Sequence, residues 1–596
     1  MPFNKAYLLI SLLVFGFTCQ SQTIIPGGYV SGNWDQWSSP YLIQDDITIH
    51  EDSVLNISGN VEIIFQDTAG LDVYGVLQAI GGNISKIEFT AEVDTWEGIQ
   101  IYGNGSPATD SVILDHCIIS KGAAFNGELN GGGLWISNRD EVRVSRSSIG
   151  GNYAEHKGGG IYIENSDILI IASCIEMNAT SQDSLDANGG GMYVKDSNPV
   201  FLGVLFYGNE SRLGGGLYGS NSSLVIFNCG FQENSSISDG GAICCSDNGS
   251  LNMDYCDFFD NTAGNNGGSI ALLYGISTNF SYVNFVNSKA GSLYNSGIGG
   301  ALYISTGNYD QRFENCTFIE NSATVFGGAM YSGSYVYLSN CLFNTNTLTS
   351  VNSSFGGAVA LYYISLWAVN CTFSNNNSKY GTTFYSTSAG IDMMNCILWD
   401  PFPNPDATAI SLFYLTMPPS VFIEHSNIQF GEENISGNGI ITWANGNIDE
   451  YPAFVLPQED FSLDWNSPCI NAGRSDTLVS MIPETDLNGE TRISGGEVDM
   501  GAYEYQGPIS INELYVKNQI NITPNPNNGC FIIHLDKDFI LPARIELYTI
   551  AGNITYVQRI SSQIEQVNLP QLPDGVYILK LKGKGEFGTT KMIIKN

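Results

Sequence analysis

Apolar and polar side chains alternate in short bursts through residues 41 to 120, as in Ile47-Thr48-Ile49, Val61-Glu62-Ile63, Leu71-Asp72-Val73-Tyr74 and Gly98-Ile99-Gln100-Ile101, with turn residues between them. Alternation at period two over a few residues predicts short β-strands with one buried face. From residue 117 the bursts lock into a longer rhythm. Cys117, Cys174, Cys229, Cys256, Cys316, Cys341, Cys371 and Cys396 sit in near-identical surroundings, for example Asn228-Cys229-Gly230-Phe231 and Asn370-Cys371-Thr372-Phe373. Ser147, Val204 and Val283 fall in register where the cysteine is missing, so that eleven positions recur 25 to 33 residues apart. A fixed period in that range marks a solenoid.

Two further markers keep the same phase. Glycine clusters begin at Gly131, Gly158, Gly189, Gly214, Gly240, Gly267, Gly299, Gly327 and Gly356, and Phe-x-x-Asn recurs from Phe206, Phe231, Phe258, Phe318, Phe343 and Phe373. Each unit reads glycine turn, strand, turn, strand, asparagine turn. In a stack of such units each strand pairs with its copies above and below at ~4.8 Å, so like residues form ladders. Small Cys and large Phe are expected to fill the interior. Asn is expected to take left-handed turns and hydrogen-bond its stacked neighbour, and Gly-Gly serves where a bend leaves no room for a Cβ. The cysteines predict a buried thiol ladder, because stacked parallel side chains hold their Cβ atoms near the strand spacing, beyond disulfide range. Zinc needs converging ligands at closed spacing, which neither the ladder nor the Cys244-Cys245 pair supplies.

The paired markers, over residues 117 to 396, resemble the Gly-Gly-Ala-aliphatic and Phe-x-x-Asn repeats of the polymorphic outer-membrane protein family. That resemblance implies a β-helix used in adhesion and surface display, although the family's membrane barrel has no counterpart here. Farther on, Ser467-Pro468-Cys469-Ile470-Asn471-Ala472-Gly473, the run from Thr485 to Arg492 and Val498-Asp499-Met500-Gly501-Ala502-Tyr503 resemble the closing segment of the choice-of-anchor Q β-helix family. Asp486, Asn488 and Glu490 offer oxygen ligands at alternate positions, which makes Ca2+ possible there. A turn is the favoured reading, since the twelve-residue loop ending in a bidentate Glu is absent. This segment is expected to cap the C-terminal end of the stack; at the N-terminal end Trp34, Trp37 and Tyr41 are candidates for a cap, with core packing the favoured reading.

The final stretch reads Thr523-Pro524-Asn525-Pro526-Asn527-Asn528-Gly529, then alternating runs around Phe531 and Ile545, Ala551-Gly552-Asn553, Gly575-Val576-Tyr577 and a basic end through Lys591. Five or so short strands predict a small β-sandwich. The stretch resembles the type A C-terminal sorting domain of the type IX secretion system, with Pro524, Asn525, Pro526, Gly529, Gly552, Gly575, Tyr577 and Lys591 as the motif residues. The resemblance implies passage across the outer membrane by the type IX machinery, removal of the tail, and a secreted or outer-surface location.

Composition sharpens the division. With 67 Gly, 31 Tyr, 30 Phe and only 14% charged residues, the chain suits many short strands and tight turns, and long helices are not expected. The net charge of -36 is uneven: residues 23 to 505 carry 13 Lys/Arg against 52 Asp/Glu, whereas 510 to 596 carry 9 against 7. A boundary therefore lies near Gly507-Pro508, and the acidic body excludes nucleic acid as a partner. Lys5, the apolar run Ala6 to Phe17 and Thr18-Cys19-Gln20-Ser21 have the parts of a secretory signal cleaved near Ser21. No later run reaches the ~18 apolar residues of a transmembrane span. The reading is all-β: a signal peptide over 1–21, N-terminal cap and first coils over 22–116, and central repeats of a right-handed, pectate-lyase-like parallel β-helix over 117–400. Terminal coils and cap follow over 401–506, a linker over 507–519 and a sandwich over 520–596.

Parallel β-helices also carry polysaccharide lyases and hydrolases, and fold does not decide between binding and catalysis. A lyase needs a positioned Lys or Arg base, a hydrolase paired carboxylates. The one basic concentration is Arg139, Arg143 and Arg146 with Lys157 one coil on and Asp140 and Glu141 alongside. Arg139, Arg143, Asp140 and Glu141 are thus the weak catalytic candidates, with solvated turn charges as the favoured account. His116, before a ladder cysteine, reads as structural. The leading expectation is a non-catalytic protein, needing no cofactor, that binds an extracellular glycan or a cell surface along the solenoid flank, where aromatic and polar side chains repeat. The alternative is a lyase or glycoside hydrolase on the same scaffold.

Overall fold

The computed structural model describes residues 22–595 apart from 67, 104–111, 126–129, 292–296, 402, 404–406, 476–481, 508–519, 526, 536–540, 542, 550–553, 570 and 584–585. The expected signal peptide, most of the linker, Pro526 and Gly552 therefore lie outside the described residues. The chain divides into two units, 1–505 and 506–596.

The first unit is a parallel β-helix. Sixteen strands, from Thr23–Ile25 to Asn427–Ile428, form one parallel sheet. Two more faces start at Gly28–Tyr29 and Gly32–Trp34 and end at Ile435–Gly437 and Ile440–Trp443. They join into one thirty-stranded hydrogen-bonded system because Leu217–Phe227 and Ile243–Asp254 run straight through the corner between them. A nine-stranded ladder of two-residue strands, Ala123–Ala124 to Thr347–Leu348, closes the cross-section.

Register explains the repeat. Phe206, Phe231, Phe258, Phe285, Phe318, Phe343 and Phe373 pair in succession across the first sheet. Their rings stack at 4.4 to 5.0 Å, filling the interior with aromatic contacts worth ~0.5–1.5 kcal/mol each beyond burial. Three residues on, Asn152, Asn178, Asn209, Asn234 and Asn261 form an internal ladder. Each Nδ2 donates to the Oδ1 of the next asparagine at 2.9 to 3.1 Å, a pattern resumed by Asn321, Asn346 and Asn376. Ser288 interrupts the ladder and pairs instead with Ser269 at 2.7 Å. The left-handed conformation expected of these asparagines belongs to their predecessors, such as Glu233, Asp260 and Thr345, and to the asparagines at the next corner, Asn228, Asn315, Asn340, Asn370 and Asn395. At the glycine turn, Gly189 has φ +67°, and a Cβ on Gly190 would sit 2.3 Å from the carbonyl oxygen of Glu210.

The thiol ladder needs one correction. Cys117, Cys229, Cys256, Cys316, Cys341, Cys371 and Cys396 are buried and free. The thiols from Cys229 onward donate to the carbonyl two residues back at 3.3 to 3.4 Å. Cys174 stands outside the ladder: it pairs with Ser148 and Leu205, one step past the corner, and is half-buried. Ser173 takes the ladder place, donating to the carbonyl of Ile171 at 2.8 Å and accepting from the Ser147 amide at 3.1 Å.

At the N-terminal end Trp34 and Tyr41 stack at 4.5 Å within the core, in line with the favoured reading, whereas Trp37 is 80% exposed. The segment 467–505 does not close the C-terminal end. It lies along the flank, where the corner asparagines are free to bond outward: Asn340, Asn370 and Asn395 donate their Nδ2 groups to the carbonyls of Thr485, Asp499 and Arg474. A hairpin before it, Phe454–Leu456 with Asp460–Leu463, brings Phe454, Phe461 and Leu463 against Leu342 and Ile397 on the outer side of the first sheet, making a second core outside the solenoid.

The second unit is a β-sandwich. A three-stranded antiparallel sheet (Asn521–Thr523, Cys530–His534, Ile564–Asn568) and a four-stranded one (Ile554–Ile560, Ala543–Thr549, Gly575–Gly583, Glu586–Ile594) share a core that includes Phe531, Ile545, Leu579 and Met592.

Candidate ligand-binding sites

The basic residues singled out from the sequence do not converge. Arg139 is buried at a corner, where Nη1 donates to the carbonyls of Tyr74 (3.1 Å) and Tyr102 (3.3 Å) and Nη2 to that of Gly75 (3.1 Å), tying successive coils together. Arg143 projects from the third face between Ile113 and Leu169. Asp140 and Glu141 are exposed turn residues, and Asp140 accepts from the Asp167 amide at 2.9 Å. Arg146 grips Asp115 through Nε and Nη2 at 2.9 and 2.7 Å. Against the effect of burial, hydrogen bonds from Arg146, Ser145 and His116 hold that carboxyl down at about 2. His116 is buried and meets Asn83 at 2.8 Å.

The closing turn is organised by Asp486. Its Oδ1 accepts the amides of Asn488 and Glu490, both at 2.9 Å, and its Oδ2 that of Glu504 at 2.9 Å. Asn488 is exposed, and Glu490 contributes its amide to the turn. Beneath lies fully buried Arg492, donating to the carbonyls of Asp499 (3.0 Å) and Gly501 (2.7 Å) beside Glu504. Burial pushes the Glu504 carboxyl up to about 7.

Aromatic residues do repeat along the outside. Tyr162, Tyr193 and Tyr218 stack at 5.4 and 5.2 Å with interplanar angles of 3° and 7°, and Tyr337 stacks on Trp367 at 4.9 Å and 10°. Parallel rings one strand apart cover each other's faces, and Tyr162, Tyr193 and Tyr218 are buried. These columns bind coil to coil and leave little ring face for a ligand.

A different arrangement occurs at the tip of the flank hairpin. Trp399 follows Ile397–Leu398, the penultimate strand of the first sheet, packs against the second core and meets Tyr451 at 6.1 Å and 71°, so the crossed rings make a corner. With Pro401, Leu456, Pro457, Gln429, Gln458 and Glu459 they line a pocket of about 620 Å³, within the usual range for small-ligand sites. Its floor is pinned. The Trp399 carbonyl accepts from Ser374 at 2.7 Å, and Gln429 bonds the Asp400 backbone through both amide atoms at 3.1 Å. Burial raises the Asp400 carboxyl to about 6.

At the other end of the solenoid, Asp46, Asp72 and Glu97 line a smaller pocket of about 220 Å³ with Gln100 and Tyr102. Burial, then the charge of Asp46, raises Asp72; burial, then Asp46 and Asp72, raises Glu97. Register could have pointed here, since Asp72 and Gln100 occupy equivalent positions in successive coils. Trp399 and Tyr451 carried no such signal, because their meeting depends on how the hairpin folds back.

In the sandwich, Asn525 clasps the last strand: its Nδ2 donates to the Lys591 carbonyl at 2.9 Å and its Oδ1 accepts the Ile593 amide at 2.8 Å. Gly529 has φ +87°, Tyr577 is buried and donates to the Pro573 carbonyl at 2.9 Å, and Gly575 opens the strand that pairs with the last one. Residues 521–595 match the family described as a secretion system C-terminal sorting domain, and residues 74–275 match the right handed beta helix region. The chain carries a right-handed β-helix region and an export sorting domain. Its sorting domain assigns it to the type IX route and to a secreted or cell-surface location. No curated protein matches this β-helix protein. Among its described residues no helix is long and apolar enough to cross a membrane.

Proposed function

We propose that this exported β-helix binds extracellular carbohydrate without cleaving it, at the Trp399–Tyr451 pocket. The supporting observation is the crossed aromatic corner: rings set at 71° suit the apolar face of a pyranose, and the polar lining residues Gln458 and Glu459 suit its hydroxyl groups. Delivery outside the cell puts the pocket where polysaccharide is met. Cleavage of a glycosidic bond needs two carboxyls disposed about it, and among the described lining residues Glu459 is the one carboxyl.

A second reading, glycoside hydrolysis, draws on the pocket of Asp46, Asp72 and Glu97, where raised carboxyls suit a general acid. Titrating the full chain with a panel of soluble polysaccharides, while assaying new reducing ends, tests both. The expected result is binding that falls at least tenfold in Tyr451→Ala, with no reducing ends. Product formation abolished by Asp72→Asn would replace the binding reading with the hydrolase.

A further inference from the structure

The pocket's chemistry also bears on which sugars enter it. From residue 380 to 473, the stretch that supplies every lining residue, the chain has no Lys or Arg but eleven Asp and Glu. Glu459 is exposed at the hairpin tip, where its amide bonds the Leu456 carbonyl at 3.0 Å, so its carboxylate stands at the rim on a rigid turn. Phe454, Phe461 and Leu463 anchor that turn to the solenoid. Of the neighbouring carboxylates, Asp400 accepts the Asn375 amide, Asp449 the Phe430 amide at 3.0 Å, and Asp460 the Ser462 amide at 3.0 Å. An anionic sugar in the aromatic corner would meet Glu459 with no cation among the lining residues to neutralise it.

We propose that Glu459 is a specificity-determining residue that excludes uronate and sulfated sugars, leaving the pocket to uncharged or cationic pyranoses. This rests on the carbohydrate-binding reading and goes beyond it by assigning the ligand's charge. Selectivity of this kind comes from a repulsive element placed against the wrong ligand, not from tighter contact with the right one. Because the carboxylate is exposed, the repulsion is screened by salt over ~8 Å at physiological ionic strength.

The test is saturation-transfer NMR on the full chain with methyl β-D-glucopyranoside, its glucuronide counterpart and glucosamine, at low and high salt. Wild type is expected to bind the glucoside and glucosamine, and the glucuronide about tenfold more weakly, a gap of ~1.4 kcal/mol. The gap, read as the ratio of the two affinities within each protein, should narrow in high salt and close in Glu459→Gln. A gap of the same size in Glu459→Gln, or equal binding of both sugars by wild type, overturns the assignment and leaves carbohydrate binding standing. Absence of transfer to all three sugars overturns the assignment together with the reading beneath it. Since Glu459 is exposed and away from the core, matching thermal melts for the variant are expected, and the comparison stays interpretable.

Discussion

Replacing Asn209 by Ala isolates what the internal asparagine ladder contributes. Asn209 is fully buried; its Nδ2 donates to Asn234 Oδ1 (2.9 Å) and the Ile175 carbonyl (2.8 Å), and its Oδ1 accepts the Asn178 amide (3.1 Å) and Asn178 Nδ2 (3.0 Å). Alanine strands the Asn178 amide, removes one of the two acceptors of the Asn178 carboxamide, which keeps the Ile149 carbonyl at 2.9 Å, and takes a donor from the Ile175 carbonyl in a dry interior. At ~1–3 kcal/mol for each orphaned group, partly relieved by relaxation, the local cost is about 3–6 kcal/mol. The Asn234 side chain keeps its acceptor role toward the Asn209 backbone amide at 3.1 Å, so it adds little. In a solenoid each coil touches only its neighbours, so the loss should stay within the coils from Asn178 to Asn234. Hydrogen exchange resolves this better than a global melt, since long repeat arrays need not unfold in two states. The Asn178 amide should exchange about 10²–10⁴-fold faster, at ~1.4 kcal/mol per decade, with the coils around Cys341 and Cys371 unchanged. An unchanged rate at Asn178 would refute the assignment of the ladder as a stabilising network.

Cys371→Ser should cost under about 1 kcal/mol by thermal melting, because Ser147 and Ser426 already make the same bond to the carbonyl two residues back, at 2.8 and 3.0 Å. Cys371→Leu should cost ~1–3 kcal/mol by overpacking. Arg139→Met removes a charged donor from three carbonyls and should destabilise the coils around Tyr74 and Tyr102 by about 2–4 kcal/mol, read as faster local exchange, while leaving polysaccharide binding unaltered. Glu504 sets a pH dependence on the closing segment. Its folded carboxyl titrates at about 7 against an ordinary 4.5, so between these values the folded state holds a proton the unfolded state has released. Stability must then fall as pH rises through that window, by up to about 3 kcal/mol, and level off above it. Proteolysis of segment 467–505 should therefore be faster at pH 8 than at pH 5.5, and Glu504→Gln should flatten the difference.

The sequence by itself determined the solenoid, because a stack of parallel coils makes every position a neighbour of its own copies, and that pressure writes the period directly into the chain. The phenylalanine and asparagine ladders and the glycine turns are readable from spacing, and the division near residue 507 from charge. Even the place of Cys174 was legible, since it lies four residues before Asn178 whereas Cys229 lies five before Asn234. What the sequence could not determine is whatever depends on non-repeating chain folding back. Thr485 meets Asn340 across 145 residues, and Trp399 meets Tyr451 only because the hairpin at 454–463 docks on the outside of the first sheet. Nor does a run of outward tyrosines say whether ring faces are open. Strand spacing decides that, by pressing Tyr162, Tyr193 and Tyr218 face to face, whereas Trp399 and Tyr451, outside the repeat, cross at 71°.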